Sequence, residues 1–155
     1  NKMRQIAQDI RPAVLDTLGL CTALQTYSRE FSLRTGLPVV FEADLEIPEL
    51  SDTYSITLYR ILQEALTNVY KHSMANQVWV ELTIDDRNIV LTIQDNGVGF
   101  SLESRQKLPN DGIGIIGMQE RMTLVGGQLL IKSSQSKGTI ISAHLPLDEY
   151  LQIRE

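Results

Sequence analysis

Apolar positions recur along this chain at two spacings, and the switch between them outlines the fold. Met3, Ile6 and Ile10 fall on one helical face, and Pro12 then interrupts or kinks the run. A second helical pattern extends from about 13 to 34, with Val14, Leu18, Leu24, Tyr27 and Phe31 inward; Gly36, with Pro38 beyond it, marks its stop. Residues 38–44 predict one strand. Ser51 or Asp52 can cap a long helix reaching about Ser73, whose apolar stripe carries Tyr54, Leu58, Ile61, Leu62, Ala65 and Val69. Residues 77–84 and 88–94 form two alternating runs and predict a hairpin turning at 85–87. A polar, glycine-containing segment covers 96–111, and a shorter helix follows from about Ile115 to Leu124, ended by Gly126-Gly127. Residues 128–133 and 139–145 predict a closing strand pair around Ser136-Lys137-Gly138. Helices and an antiparallel-looking sheet, one layer each, imply an α+β two-layer sandwich with an additional N-terminal helical segment. Because the pattern is already helical at Asn1, the chain reads as a piece of something longer.

Composition narrows this picture without changing it. At 155 residues, 43% hydrophobic and 21% charged, the chain has the balance of one soluble globular domain and excludes a disordered or low-complexity protein. A net charge of −5 argues against a basic nucleic-acid-binding face, and a bound polyanion would need local cations. The lone Cys21 cannot form an internal disulfide and sits among Leu18, Leu20 and Leu24, which favours a small core residue in a reducing, cytoplasmic setting.

Three segments carry candidate chemistry. On the long helix, Glu64, Asn68 and Lys71 share one stripe at about 100° per residue, a quarter turn from the apolar stripe. Taken alone, the stripe reads first as a solvated helix edge with an i,i+4 pair, and otherwise as the wall of a pocket. After a strand comes Asp95-Asn96-Gly97-Val98-Gly99-Phe100, where paired glycines allow close approach to a flat ligand or form an ordinary Asn-Gly turn. Gly112-Ile113-Gly114-Ile115-Ile116-Gly117 matches the G-x-G-x-x-G string, but a polar loop precedes it and no acidic residue follows on a parallel strand. That context excludes a dinucleotide-binding βαβ unit and leaves glycines beside a helix N-terminus, a setting that favours phosphate. Trp79 is expected to pack on a sheet face, Met118 and Met122 to fill the core, and Arg121 either to reach phosphate or to remain on the surface.

The order of these pieces is more informative than any one of them. Glu-x-x-x-Asn on a helix, Asp-x-Gly-x-Gly after a strand, a loop, Gly-x-Gly before a helix, and Gly138-Thr139 in a late strand together resemble the Bergerat ATP-binding domain of the GHKL superfamily over about residues 37–146. Within it, E-A-L-T-N-V-Y-K-H (64–72), G-M-Q-E-R (117–121) and G-T-I-I-S-A-H-L-P (138–146) are most similar to two-component sensor histidine kinases. The R-P-x-x-L-D-x-L-G-L-x-x-A-L segment, Arg11 to Leu24, is similar to their nitrate-sensor-like and desaturase-regulator-like subfamily.

The resemblance implies a mixed, mostly antiparallel sheet covered by helices on one face, and a division into 1–35 (end of a dimerisation helix and linker helix), 36–147 (ATP-binding catalytic domain) and 148–155 (tail). It implies that Asn68 ligates Mg²⁺, that Glu64 orients or deprotonates through water near the γ-phosphate, and that Lys71 offsets phosphate charge. It places His72 beside the sugar or base, Asp95 on the adenine amino group, Gly97 and Gly99 along the base, and Thr139 at adenine through water. Gly112 and Gly114 would hinge a lid at 101–111, and Gly117 belongs to the same nucleotide-binding string. Neither His72, followed by Ser73, nor His144, followed by Leu145, has the acidic follower of a phosphoacceptor histidine. The expected partners are therefore ATP or ADP, an upstream histidine-bearing dimerisation domain in a homodimeric parent, and a response regulator. Two other functions fit the same motifs: a nucleotide-binding regulatory module without catalysis, and an anti-sigma-type serine kinase or ATPase of the superfamily. Tyr70, where small apolar residues are usual in the family, is a departure.

Overall fold

The computed structural model describes residues 13–99 and 109–147. The expected helix at 1–10, the kink at Pro12, lid residues 101–108 and the tail 148–155 lie outside the described residues. Among those described, three helices and five strands follow one another as α1 (Ala13–Thr35), β1 (Val39–Ala43), α2 (Asp52–Asn68), β2 (Val78–Asp85), β3 (Asn88–Asp95), α3 (Pro109–Leu124), β4 (Gln128–Ser133) and β5 (Thr139–Pro146). A π-helical turn, Val69–Ser73, continues α2.

The sheet runs β1-β2-β3-β5-β4, with β1 parallel to β2 and the other three pairs antiparallel. Alternation sets its faces. Val78, Val80, Leu82, Ile89, Leu91, Ile93, Ile141, Ala143 and Leu145 are all buried inward, while Trp79 and Leu130 stand partly exposed on the outward side. All three helices pack into the same core as the inward row, which gives the two-layer sandwich that the patterning predicts. Leu58, Ile61, Leu62, Ala65 and Leu66 of α2 are fully buried, and Met118 and Met122 of α3 fill the core as expected. Tyr54 spans the layers, its hydroxyl donating to the Pro146 carbonyl at 2.7 Å.

Local chemistry places the element ends. Ser51 caps α2, its hydroxyl accepting from the Tyr54 N–H. The end of α3 is closed by paired bonds, Gly127 N–H to the Met122 carbonyl at 2.9 Å and Gly126 N–H to the Thr123 carbonyl at 3.0 Å. Gly126 supplies the positive φ of 79° that this closure requires.

The structure departs from the sequence reading at three elements. The helix expected unbroken from 13 to 34 is interrupted at Gly19, whose φ of 78° and ψ of 173° are open to glycine and leave the helical region. The long helix is α-helical only to Asn68 before widening into the π turn. The short helix begins at Pro109 rather than near Ile115, so Gly112 and Gly114 lie inside its first turns instead of ahead of it. Proline suits a first turn, where a missing N–H loses nothing.

Candidate functional site

The inward rows of β3 and β5 are apolar until they reach one end of the sheet, where each finishes in a polar residue. Asp95 takes the next inward position after Ile93, and Thr139 precedes Ile141. The two face each other in register across the β3–β5 seam. Both are buried, Asp95 to 4% exposure. They form the floor of a cleft whose wall is Asn68 and the π-turn residues Val69, His72 and Ser73, with Gly99, Ile115 and Ile141 completing the lining.

Burial pushes the Asp95 carboxyl above its ordinary value, and hydrogen bonds from the backbone N–H groups of Gly97 and Thr139 partly oppose that shift. The Gly97 bond measures 2.8 Å. A desolvated carboxylate with only lone pairs to offer selects a ligand edge that carries a donor. The loop after β3 is held tightly in place. Asn96 Oδ1 accepts from the N–H groups of Asn76 and Gln77 at 3.0 and 3.1 Å, and Val98 N–H donates to the Ser73 carbonyl at 2.7 Å. A Cβ at Gly97 would run into the Ser73 backbone, and Gly99 has a φ of +65° with the Ser134 carbonyl against it. These two glycines therefore let the loop close onto its neighbours, and Gly99 is the one that lines the cleft.

The π turn rearranges the polar stripe. Its wider i→i+5 ladder delays each side chain's return to a given face. His72 therefore stands at the cleft beside Asn68, while Lys71 is exposed and outside the lining. Glu64 is exposed, yet it and Asn68 meet α3: a Cβ on Gly114 would lie 2.6 Å from Glu64 Oε1 and 3.1 Å from Asn68 Nδ2. Gly112 lies in α3 ahead of this contact, and Gly117 is exposed on the helix with open space around it. Arg121 is also exposed and outside the lining. The structure thus brings Asn68, His72, Asp95, Gly99 and Thr139 together, sets Gly114 against Glu64 and Asn68, and leaves Lys71, Gly97 and Gly117 off the cleft surface.

Asn68 Nδ2 is buried and, among the described residues, has no hydrogen-bond partner. An orphaned amide end at a cleft wall is poised for a ligand oxygen or, with the amide turned over, presents its oxygen to a cation. That fits a hard cation held through one protein oxygen, with ligand oxygens and water supplying the rest. No cluster of three or more His, Cys, Asp or Glu side chains suited to a metal occurs among the described residues. Sequence reasoning missed Val69, Ser73, Ile115 and Ile141, because apolar cleft walls and core positions share one periodicity. No described helix is long and apolar enough to cross a membrane.

Residues 53–149 match the family described as histidine kinase-, DNA gyrase B-, and HSP90-like ATPase. The chain is 32% identical over 147 residues to the oxygen sensor histidine kinase NreB of Staphylococcus carnosus, covering 95% of this chain and 42% of that protein. It is 37% identical over 145 residues to the sensor histidine kinase MctS of Rhizobium johnstonii, covering 94% of this chain and 31% of that one. The chain therefore spans less than half the length of these relatives. In fold it is similar to the blue-light activated histidine kinase of Erythrobacter litoralis, with a TM-score of 0.69 and 20% identity over 84% of this chain and 46% of that one.

Proposed function

The chain belongs to the family of histidine kinase-, DNA gyrase B- and HSP90-like ATPases, and on that premise we propose that it is the ATP-binding catalytic domain of a two-component sensor histidine kinase. Its work is to hold ATP so that the γ-phosphoryl passes to a histidine ring nitrogen on a dimerisation domain outside this chain, leaving ADP. A response regulator's aspartate then takes the phosphoryl group. The observation that carries the reading is the buried Asp95 carboxylate facing Thr139 at the cleft floor. It accepts the exocyclic amine of adenine and meets repulsion from guanine, which places an oxygen there.

Each remaining residue has a role set by its place around the cleft. Asn68, whose amide nitrogen has no hydrogen-bond partner among the described residues, would hold Mg²⁺, which would supply charge neutralisation to the phosphates. Glu64 at the rim orients the reacting groups through water, and Gly114 fixes its position relative to Asn68. His72 borders the sugar, while Lys71 stands outside the lining and acts on the phosphates only at longer range. Residues 1–35 form the link to the dimerisation domain of a homodimeric, cytoplasmically exposed kinase core. Phosphoryl transfer depends above all on positioning, so the chain alone binds nucleotide without completing autophosphorylation.

Calorimetric titration with Mg·ATP, Mg·ADP and Mg·GTP, repeated on Asp95→Asn, tests this. Adenine-selective binding that weakens by about tenfold to a hundredfold in the variant is expected for a lost hydrogen bond to a charged acceptor. Equal affinity for adenine and guanine nucleotides, or none for either, would overturn it. Transfer of label from ATP to an added histidine-bearing dimerisation domain separates a kinase from a regulatory module that only binds.

A further inference from the structure

Beyond the last β2–β3 pair, Val78 with Asp95, the two chains are joined chiefly by the side chain of Asn96. Its Oδ1 accepts from the Asn76 and Gln77 N–H groups at 3.0 and 3.1 Å, and its Nδ2 donates to Asn76 Oδ1 at 2.6 Å. The Asn96 N–H adds a longer bond, 3.3 Å, to the Gln77 carbonyl. We infer that Asn96 is a positioning residue for base selection: its side-chain clamp fixes the peptide that follows it, and so aims the Asp95 carboxyl at the base. The inference rests on reading the cleft as a nucleotide site.

Every bond in the clamp has one possible direction. Backbone N–H groups only donate, so the Asn96 atom facing both of them is its oxygen, and its nitrogen is the end that faces Asn76. That nitrogen only donates, so Asn76 presents its oxygen. Asn96 also supplies the carbonyl half of the Asn96–Gly97 peptide, whose N–H donates to Asp95 Oδ1 at 2.8 Å. A peptide unit is planar, so holding Asn96 sets where that N–H points. The far side of the loop is held separately, by the Val98 N–H on the Ser73 carbonyl. Without the Asn96 side chain, the peptide between these two holds gains freedom to turn. The Asp95 carboxyl is then left with the Thr139 N–H as its fixed backbone donor. The clamp bonds themselves lie at an exposed position, where water replaces them. Their loss therefore removes aim at little cost in stability.

The test is calorimetric titration of the full chain with the magnesium complexes of ADP and of inosine diphosphate, whose base carries a carbonyl where adenine carries the amine. In Asn96→Ala the ADP preference of the parent chain should narrow by about tenfold, with the thermal midpoint nearly unchanged. Asn96→Asp keeps an oxygen that accepts both N–H groups, and the Asn76 amide, turned over, donates to it, so the preference should be restored. The added charge acts on both diphosphates alike, which makes the ratio the quantity to read. Asn76→Ala removes one bond of the three and should narrow the preference by less than Asn96→Ala. An unchanged ratio in Asn96→Ala, or equal weakening of both nucleotides, would overturn the positioning role while leaving the adenine site standing. So would Asn96→Asp behaving as Asn96→Ala, or loss of the thermal transition in Asn96→Ala, which would mark the clamp as a folding contact. If the parent chain binds neither nucleotide, or binds both equally, the nucleotide reading fails and this inference fails with it.

Discussion

Asp95 joins two demands that pull against each other. Its burial holds a proton more tightly in the folded chain than in the unfolded one, raising the carboxyl above the ordinary 3.8. Between the ordinary value and the raised one, the folded state binds more protons than the unfolded state, so stability falls as pH rises through that window. Ligand binding has the opposite sign, because the amine needs a deprotonated acceptor. On acidification through the window, ADP affinity should therefore fall while the thermal midpoint gains a contribution from this group. Calorimetric affinity and thermal unfolding, measured side by side from neutral pH downward, check the two slopes. The stability contribution should vanish in Asp95→Asn. Asp95 was legible in the sequence because it closes a strand directly ahead of Gly97 and Gly99 and takes its place in the order of motifs.

At the scale of elements, the start of α3 and the end of α2 show why the site was only partly legible. Two glycines close together read as a loop, because each costs a helix about 1 kcal/mol relative to alanine. Here the helix runs through them from Pro109, and contact with Glu64 and Asn68 gives Gly114 its reason to lack a side chain. Gly114→Ala should change stability by no more than about 1 kcal/mol, since the helix gain is set against a Cβ that meets the end of the exposed Glu64 side chain and lies 3.1 Å from the half-buried Asn68 amide. Phosphoryl transfer to an added acceptor domain should nevertheless fall by about tenfold or more as Glu64 is displaced. Thermal unfolding together with initial transfer rates checks both halves; a loss of stability with transfer intact would contradict the assignment. Lys71 parts from Glu64 and Asn68 for a similar reason. Counting 100° per residue assumes an α-helix throughout, whereas the turn at Val69–Ser73 has another ladder and brings His72 forward in place of Lys71. Strands carried a cleaner signal, and the β2–β3 and β4–β5 hairpins lie where alternation and turn residues put them.

For the whole molecule, alternation specified the layers and left open the order of the strands. Two hairpins and a lone strand can be joined edge to edge in several ways, and the inward rows stay buried in more than one of them. The observed order joins β3 to β5 and leaves β1 and β4 at the edges. Helix α1 precedes the family match at 53–149, and its Leu15, Leu20, Ala23, Leu24 and Phe31 belong to the same core as the sheet. Tyr27 also meets Tyr59 of α2 edge-on at 5.7 Å.

The β3–β5 seam also orders events in time. Each hairpin closes a short loop, while the seam must bring together residues far apart in the chain, so entropy makes it a late step in assembly. The floor of the cleft exists only once that seam has zipped. A nucleotide grips both of its sides and so acts after the folding barrier has been crossed, as a clasp on a finished object rather than a template for making it. ADP should accordingly slow unfolding in stopped-flow denaturant jumps and leave the refolding limb where it is; acceleration of refolding would mean that the seam forms early.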